Sequence, residues 1–425
     1  MAQPKKTIQA ALLAADGTEK VVFVAAGQYD EALLIGRSLF GGYDAADWSR
    51  DPAAYPTIIS SANVNGVILN NLTAAMMVLE GVVVQATDHS TDSEANGLSV
   101  TGGDTVVSRC RITGPDAINT YAVGIRATGE IVLEKSEIVG GNAPDNGELM
   151  LAAGVGVFSQ LGSAVIRDCQ ITAGDATDNY MTQNPSESTG LYIATGPEIE
   201  TRVVRNTISG GLAYGDAAAF SDGVDLLTGR AIVANNVIRA GTAESGWLDI
   251  TYATGVHTHI GDNSLVLANN TIFSGTAAFG VAVQLERSAA VVNNILYAAG
   301  GYSQSYPLYL MSVKQQYTVD NNDFYCQVAA KCALLWVDNI TVNDLGQINA
   351  GAWDQCAEAD GNLAVLPGFA GAADPHLTAA SPLIDAGCSP LAFYFGPDLN
   401  VDLDGESRPQ GDGWDIGADE VPPSR

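Results

Sequence analysis

Asp222-Gly223-Val224-Asp225-Leu226, then after a short gap Ile232-Val233-Ala234-Asn235-Asn236-Val237-Ile238 and a Gly-containing turn: this run, within Ser221 to Gly241, decides the fold. It returns as Thr254-Gly255-Val256-His257 followed by Leu267-Ala268-Asn269-Asn270-Thr271-Ile272. Each copy reads as two short strands and one Asn-rich corner. The Gly before the first strand aligns Gly97, Gly124, Gly154, Gly190, Gly223, Gly255 and Gly280, at spacings of 27, 30, 36, 33, 32 and 25. The apolar residue after the corner runs in step, from Ile112, Ile138, Ile171, Ile208, Ile238 and Ile272 to Leu296 and Phe324. Constant strands at variable spacing mean that a fixed core repeats while one turn absorbs insertions. A period of about 30 is too long for left-handed hexapeptide helices, and the helical periodicity of ankyrin or tetratricopeptide repeats is absent. The reading is an all-β chain: a right-handed parallel β-helix, a solenoid of about ten coils.

The corner position is held in turn by Cys110, Ser136, Cys169, Asn206, Asn236, Asn270, Asn294 and Asn322. Stacked coils place these side chains about 4.8 Å apart. An amide donates to one neighbour and accepts from the other, so an inward Asn stack satisfies itself. These residues are read as architecture, not catalysis.

Composition agrees with that reading. Of 425 residues, 47% are apolar, only 16% are charged and 46 are Gly, which suits many short strands broken by turns. Acidic residues number 48 against 19 basic ones, a formal charge of −29. Such a surface repels nucleic acid and anionic membranes and favours cations, Ca²⁺ among them, and neutral partners. No apolar run approaches the roughly 20 residues of a membrane helix. Met1 to Lys6 is short and polar, so the chain reads as cytoplasmic or as a mature protein whose leader is gone; export is the preferred expectation. Cys110 and Cys169 fall two coils apart, about 10 Å, too far for a bridge, and are expected to be buried thiols. Cys326, Cys332, Cys356 and Cys388 cluster late and have the numbers for two bridges.

In chain order, Thr7 to Ala15 has helical apolar spacing, with Thr7 as N-cap and Asp16-Gly17 as the stop. Such a helix covers the open end of a solenoid. Strands follow at Val21 to Ala25 and Ala32 to Ile35; Leu39 to Pro52 reads as irregular, and regular coils are expected from Thr57. Leu334 to Val337 reads as the last coil. The expected division is therefore 1–56 for the N-terminal cap and first strands, 57–338 for the coils and 339–425 for an irregular C-terminal cap.

The coil pattern resembles the pectin-lyase-like superfamily of right-handed β-helices over roughly Lys6 to Val337. That likeness implies a fold rather than a reaction. Leu39-Phe40-Gly41-Gly42-Tyr43 with Trp48, Arg50-Asp51-Pro52 and Thr57-Ile58 is similar to the start of secreted bacterial β-helix proteins. Ser381-Pro382-Leu383-Ile384-Asp385-Ala386-Gly387, with Asp402-Leu403-Asp404-Gly405, Arg408-Pro409 and Asp415-Ile416-Gly417-Ala418-Asp419-Glu420, resembles the C-terminal segment of choice-of-anchor β-helix proteins. There the position before the last Glu is often Tyr; here it is Asp419. The resemblance implies export and surface attachment.

The residue x of Gly-Val-x-Leu points outward. One outward column is expected to hold Ser99, Arg126, Gly156, Tyr192, Asp225, His257, Ala282 and Tyr309, and a second Thr101, Thr128, Ala194, Leu227, His259 and Gln284. Asp225 and His257 then lie about 5 Å apart at the backbone, with Asp222 at the preceding turn. This is a candidate catalytic set of Asp225, His257 and Asp222, or a metal site of Asp225, His257 and His259. Substrate would be bound by Tyr192 and Tyr309 through stacking on sugar rings, by Arg126 through a uronate carboxylate, and by His259. An inert solvated face is the bland alternative. The adjacent aspartates and Gly-His-Gly of polygalacturonases are absent, as is the Arg and Lys array of a pectate lyase. Asp398, Asp402, Asp404 and Glu406 are spaced like oxygen ligands in a loop, so Asp402 and Asp404 are candidate Ca²⁺ ligands. Pairing of Asp404 or Asp415 with Arg408 would lock the cap instead. His89 and His376 have no evident partner and read as surface residues.

The leading expectation is a secreted or surface-displayed bacterial protein, monomeric, that binds extended glycans or serves as a rigid spacer. The runner-up is a polysaccharide lyase or glycoside hydrolase working at Asp225, His257 and Tyr192. A third is self-assembly into fibres.

Overall fold

The computed structural model describes residues 4–15, 21–61, 65–73, 75–86, 94–117, 121–144, 150–159, 162–178, 185–216, 218–246, 250–260, 264–311, 315–351, 356–390 and 396–422. Each turn of chain lays down a strand in each of three long sheets. One full coil runs Glu200–Val204 (sheet 1), Thr207–Ser209 (sheet 2) and Ala219–Thr228 (sheet 3). The sheets hold 12, 11 and 12 described strands, each pairing in parallel with its equivalent in the next coil, save one antiparallel strand, Ile340–Val342, at the end of sheet 3. Four coils add a strand between sheets 2 and 3, among them Leu212–Gly215. This is a right-handed parallel β-helix. Three strands per coil replace the expected two, because the three-residue strands of sheet 2 are too short to show a period.

The core is a set of like-on-like aliphatic stacks. In sheet 1, Leu79, Val107, Leu133, Ile166, Val203, Val233, Leu267, Val291 and Val319 stand in one register and are fully buried. Between sheets 1 and 2 the inner Asn ladder runs as expected. Asn206 donates to Oδ1 of Asn236, Asn236 to Asn270, Asn270 to Asn294 and Asn294 to Asn322, at 2.9–3.0 Å. It extends one coil further, to Asn362 at 3.1 Å. Cys110 and Cys169 occupy earlier rungs as free thiols, pushed by burial up to about 11 and about 12, which makes them inert.

The residue before each ladder position turns the chain with a left-handed backbone, φ between 49° and 56° from Arg109 to Asn321. Asn tolerates this conformation better than other non-Gly residues. Early coils put Arg109, Lys135, Asp168 and Arg205 here; later coils put Asn235, Asn269, Asn293 and Asn321. The change marks where the C-terminal segment lies. Asn235 donates to the carbonyl of Asp398, Asn293 to that of Cys388 and Asn321 to that of Ala386. The described residues 364–390 and 396–422 are therefore a strap along this corner rather than a cap on the open end. Leu399 and Trp414 pack on Ile232, Ala234 and Ala268, and Leu377, Leu383 and Ile416 on Ile295. The open end is closed instead by α2 (Leu345–Asn349), whose Ile348 is buried in the core.

At the other end α1 (Ile8–Ala14) caps the core with Ile8 and Leu12, and Thr7 is its N-cap as expected. Asp16-Gly17 lies outside the described residues. The coils begin at Val22, not Thr57: Leu39–Tyr43 is a sheet 1 strand paired with Val22–Ala25 and with Met77–Glu80. Its outward rings Phe40 and Tyr43 hid the alternation by packing under Arg50, whose guanidinium lies 5.7 and 5.5 Å from them and pairs with Glu80. At the late end Cys356–Asp360 still adds to sheet 1, beyond the expected boundary at 338. Of the two bridges the late cysteines could form, Cys326–Cys332 is present and Cys388 is a free thiol; the Cys356 side chain lies outside the described residues. No described helix is long and apolar enough to cross a membrane.

A carboxylate and histidine hollow on the third sheet

The strands of sheet 3 are eight to ten residues long in the middle of the solenoid, and their residue pairing skips a Gly. Gly223 is confined to that residue: a Cβ there would meet Ile238 Cγ2 at 2.5 Å and the Gly255 carbonyl at 2.6 Å. The break in the pairing at Gly223 lies between Asp222 and Asp225. Asp222 and Asp225, three apart in sequence, converge on one ring: Nδ1 of His257 lies 3.6 Å from Asp222 Oδ2 and 3.8 Å from Asp225 Oδ1. His259 brings Nε2 to 2.9 Å from Asp225 Oδ1, and the two imidazoles pack at 4.4 Å between centroids. Glu187 joins from the preceding coil, with an oxygen within 4.8 Å of those of Asp222 and Asp225.

Five titratable side chains from three successive coils thus share one hollow. Asp222 and Asp225 are buried to 2–3% exposure, while His259 at 36% forms the rim. Among the described residues no Lys or Arg pairs with the three carboxylates. Burial, then the charges of Asp225 and Asp222, push the Glu187 carboxyl up to about 8. Burial also raises Asp222. For His257 burial works against the charge, but Asp222, Asp225 and Glu286 outweigh it and hold the ring up at about 9. The side-chain amide of Gln284 meets its Nε2 at 3.1 Å, so Nδ1 is the nitrogen turned to the carboxylates.

Sequence reasoning placed Asp222, Asp225, His257 and His259 together, and the structure brings them together. It missed three neighbours. Glu187 precedes the Gly of its strand by three residues, and the strands had been started at the Gly; the Ser186-Glu187-Ser188-Thr189 alternation was the available signal. Gln284, not Ala282, follows His257 in the column. Ala282 occupies the Gly position of its coil, and aligning Gly280 there slipped the register by two. Arg287 is 1% exposed and spends its guanidinium on the backbone carbonyls of Leu226, Leu227, Gly229 and His259. It clasps the rim from beneath.

The candidate sugar-binding residues flank the hollow along the solenoid axis. On the N-terminal side Tyr192 neighbours Asp225 in register and packs on Phe158 at 5.3 Å, with Arg126 over that ring at 4.9 Å. On the C-terminal side Tyr309 stacks on Trp336 at 4.1 Å and 5°, beside Tyr306 and the Tyr252–Phe279 pair.

The other candidates lie in the strap. Asp402 is fully buried, and its oxygens accept backbone N–H from Asp404, Glu406 and Glu420. Asp404 points away, to Nε2 of His376 at 2.8 Å. The two aspartates thus do not face a common point. His376 is not the solitary surface residue expected: its Nδ1 also meets Asp374. Arg408 pairs with Glu420 at 3.1 Å and donates to the carbonyls of Asp415 and Gly417, rather than pairing with the carboxylate of Asp404 or Asp415. His89 lies outside the described residues. A groove of about 360 Å³ on sheet 1, between Glu200, Arg230 and Gln316, has no His or Cys in its lining.

The fold and hollow define the class: a parallel β-helix protein with a buried acidic centre on its third sheet. No family model matches the chain, and no curated protein matches it significantly. Among solved structures it is similar to pectate lyase Pel9A, at 16% identity and TM-score 0.43 over 97% of this chain and 90% of that one. It is also similar to the Dettilon tailspike protein, at 11% identity and TM-score 0.43 over 79% of this chain and 66% of that one. At these identities the likeness is one of fold alone.

Proposed function

We propose that this chain is a polysaccharide-cleaving β-helix protein that lays an extended glycan along the outer face of sheet 3. One observation carries the reading: Glu187, Asp222, Asp225, His257 and His259 are gathered in a single hollow between two aromatic banks. Burial raises Glu187 and Asp222 while the carboxylates hold the His257 ring up, so the cluster gathers groups whose proton affinities are shifted toward acid–base work. Carboxylates and imidazoles within reach of one another supply the acid and base that glycoside hydrolysis or uronate elimination requires. The aromatic faces of Tyr192 on one side and Tyr309 and Trp336 on the other suit stacking on sugar rings.

The test is turnover on a panel of neutral and uronic polysaccharides, following new reducing ends and the ultraviolet absorbance of unsaturated products. Reducing ends alone mean hydrolysis; both signals mean elimination. Asp225→Asn should abolish either. An unchanged rate in that variant removes the proposed centre.

Glycan binding without cleavage is the second reading, favoured by the tight Tyr309–Trp336 stack. It predicts a glycan-dependent rise in Tm with no product. Export and surface display, which the C-terminal motif suggests, form part of either proposal and are tested by fractionating cells that express the gene.

A further inference from the structure

We propose that the same hollow binds one divalent first-row transition-metal ion through Asp225, His257 and His259, with Asp222 beside it. The inference deepens the reading above, and a binding measurement decides it rather than turnover. One donor atom from each of Asp225, His257 and His259 lies within 4.8 Å of the others. The Asp225–His259 edge is 2.9 Å and the Asp225–His257 edge 3.8 Å. Donors bonded to an ion at about 2.1 Å stand about 3.0–3.4 Å apart, so small side-chain shifts complete the polyhedron.

Three polar atoms of the hollow are unspent. Asp222 Oδ1, Asp225 Oδ1 and His259 Nε2 are buried and none has a hydrogen-bond partner. The 2.9 Å approach of His259 to Asp225 is a contact without hydrogen-bond alignment. Leaving such groups unsatisfied is expensive, and one cation between Asp225 and His259 satisfies both. The contrast with the strap is informative. His376, Asp404 and Asp419 also cluster, but both nitrogens of His376 face carboxylates at hydrogen-bond distance, and Asp419 accepts the Leu377 N–H.

The donor set selects the ion. Ca²⁺ and Mg²⁺ take oxygen ligands, whereas two imidazoles and a carboxylate suit Zn²⁺, Mn²⁺, Fe²⁺ or Co²⁺. Outer contacts already orient the ligands: Gln284 holds Nε2 of His257, and Arg287 holds the carbonyl of His259.

The experiment is calorimetric titration of the chelator-treated full chain with ZnCl₂ and MnCl₂, with CaCl₂ and MgCl₂ in parallel, and Tm read for each. The expected result is one site for Zn²⁺ or Mn²⁺, a raised Tm, and weak or no response to Ca²⁺ and Mg²⁺. The double variant His257→Gln/His259→Gln should weaken binding by at least about 100-fold. His376→Gln should bind as wild type, and circular dichroism of all variants checks the fold. No saturable Zn²⁺ or Mn²⁺ binding by wild type overturns the proposal, as does undiminished binding by the folded double variant. Metal bound at these histidines with no glycan cleaved supports the metal site and counts against the cleavage reading. Cleavage by a protein that binds neither ion does the reverse.

Discussion

Asn235 and Asn236 are adjacent in the chain and face opposite ways. Asn236 donates inward to Oδ1 of Asn270 at 2.9 Å, and Asn235 donates outward to the carbonyl of Asp398 at 2.8 Å. The left-handed turn at Asn235, φ 56°, reverses the direction between them. One dipeptide thus builds both the core ladder and the seat of the strap, and the two roles separate by mutation. Asn270→Ala leaves the Asn236 backbone N–H without its buried acceptor and removes one of the three acceptors of the Asn236 side-chain amide. It should cost about 3 kcal/mol or more in denaturant unfolding. Asn293→Gly keeps the turn but loses the strap contacts and one hydrogen bond to Asn269 Oδ1, so hydrogen exchange should rise around Cys388 with a smaller loss of global stability than in Asn270→Ala.

The strap is held by a buried charge pair. Arg408→Met leaves Glu420 buried without its cation, at a cost of about 3–5 kcal/mol to the strap. Limited proteolysis should then cut the strap before the coils. Cleavage kinetics equal to wild type would refute this account of the motif around Arg408.

Asp323 gives the stability a pH dependence of known sign. Burial pushes its carboxyl up to about 7, above the unfolded value, and its Oδ2 has no partner. The folded state therefore binds the proton more tightly than the unfolded chain. Asp323 costs nothing below about pH 4, and its ionisation removes stability as pH rises from there to about 7. Asp323→Asn should abolish that slope. Tm measured from pH 4 to 8 should show the variant gaining on wild type throughout the window; parallel curves would contradict the shift.

Trp336 lies at the end of the C-terminal aromatic bank, stacked on Tyr309. Trp336→Ala should weaken glycan affinity several-fold, in line with the roughly 0.5–1.5 kcal/mol of an aromatic contact, while leaving metal binding unchanged. Affinity electrophoresis against the best substrate from the panel is the check.

The outward column was nearly legible without coordinates because parallel stacking in register carries Ser99, Arg126, Gly156, Tyr192, Asp225 and His257 in line. It failed at one coil, where Ala282 takes the Gly place and the true neighbour of His257 is Gln284. The anchor motif was legible as a pattern but not as a device. Asp402, Arg408, Asp415 and Glu420 satisfy one another and the strap backbone, contacts that no spacing announces.

Repetition by itself determined the solenoid, the Asn ladder and the shared face of Asp225 and His257. Each follows from local periodicity repeated coil after coil, which sequence records directly. Tertiary structure alone decided that Glu187 enters the hollow, that Asp222 and Asp225 are buried without a Lys or Arg partner, and that the C-terminal segment lies along a flank. Those outcomes depend on the break in strand pairing at Gly223 and on contacts between Asn235 and Asp398, 163 residues apart. Packing over that span is set by which surfaces remain uncovered once the coils have stacked.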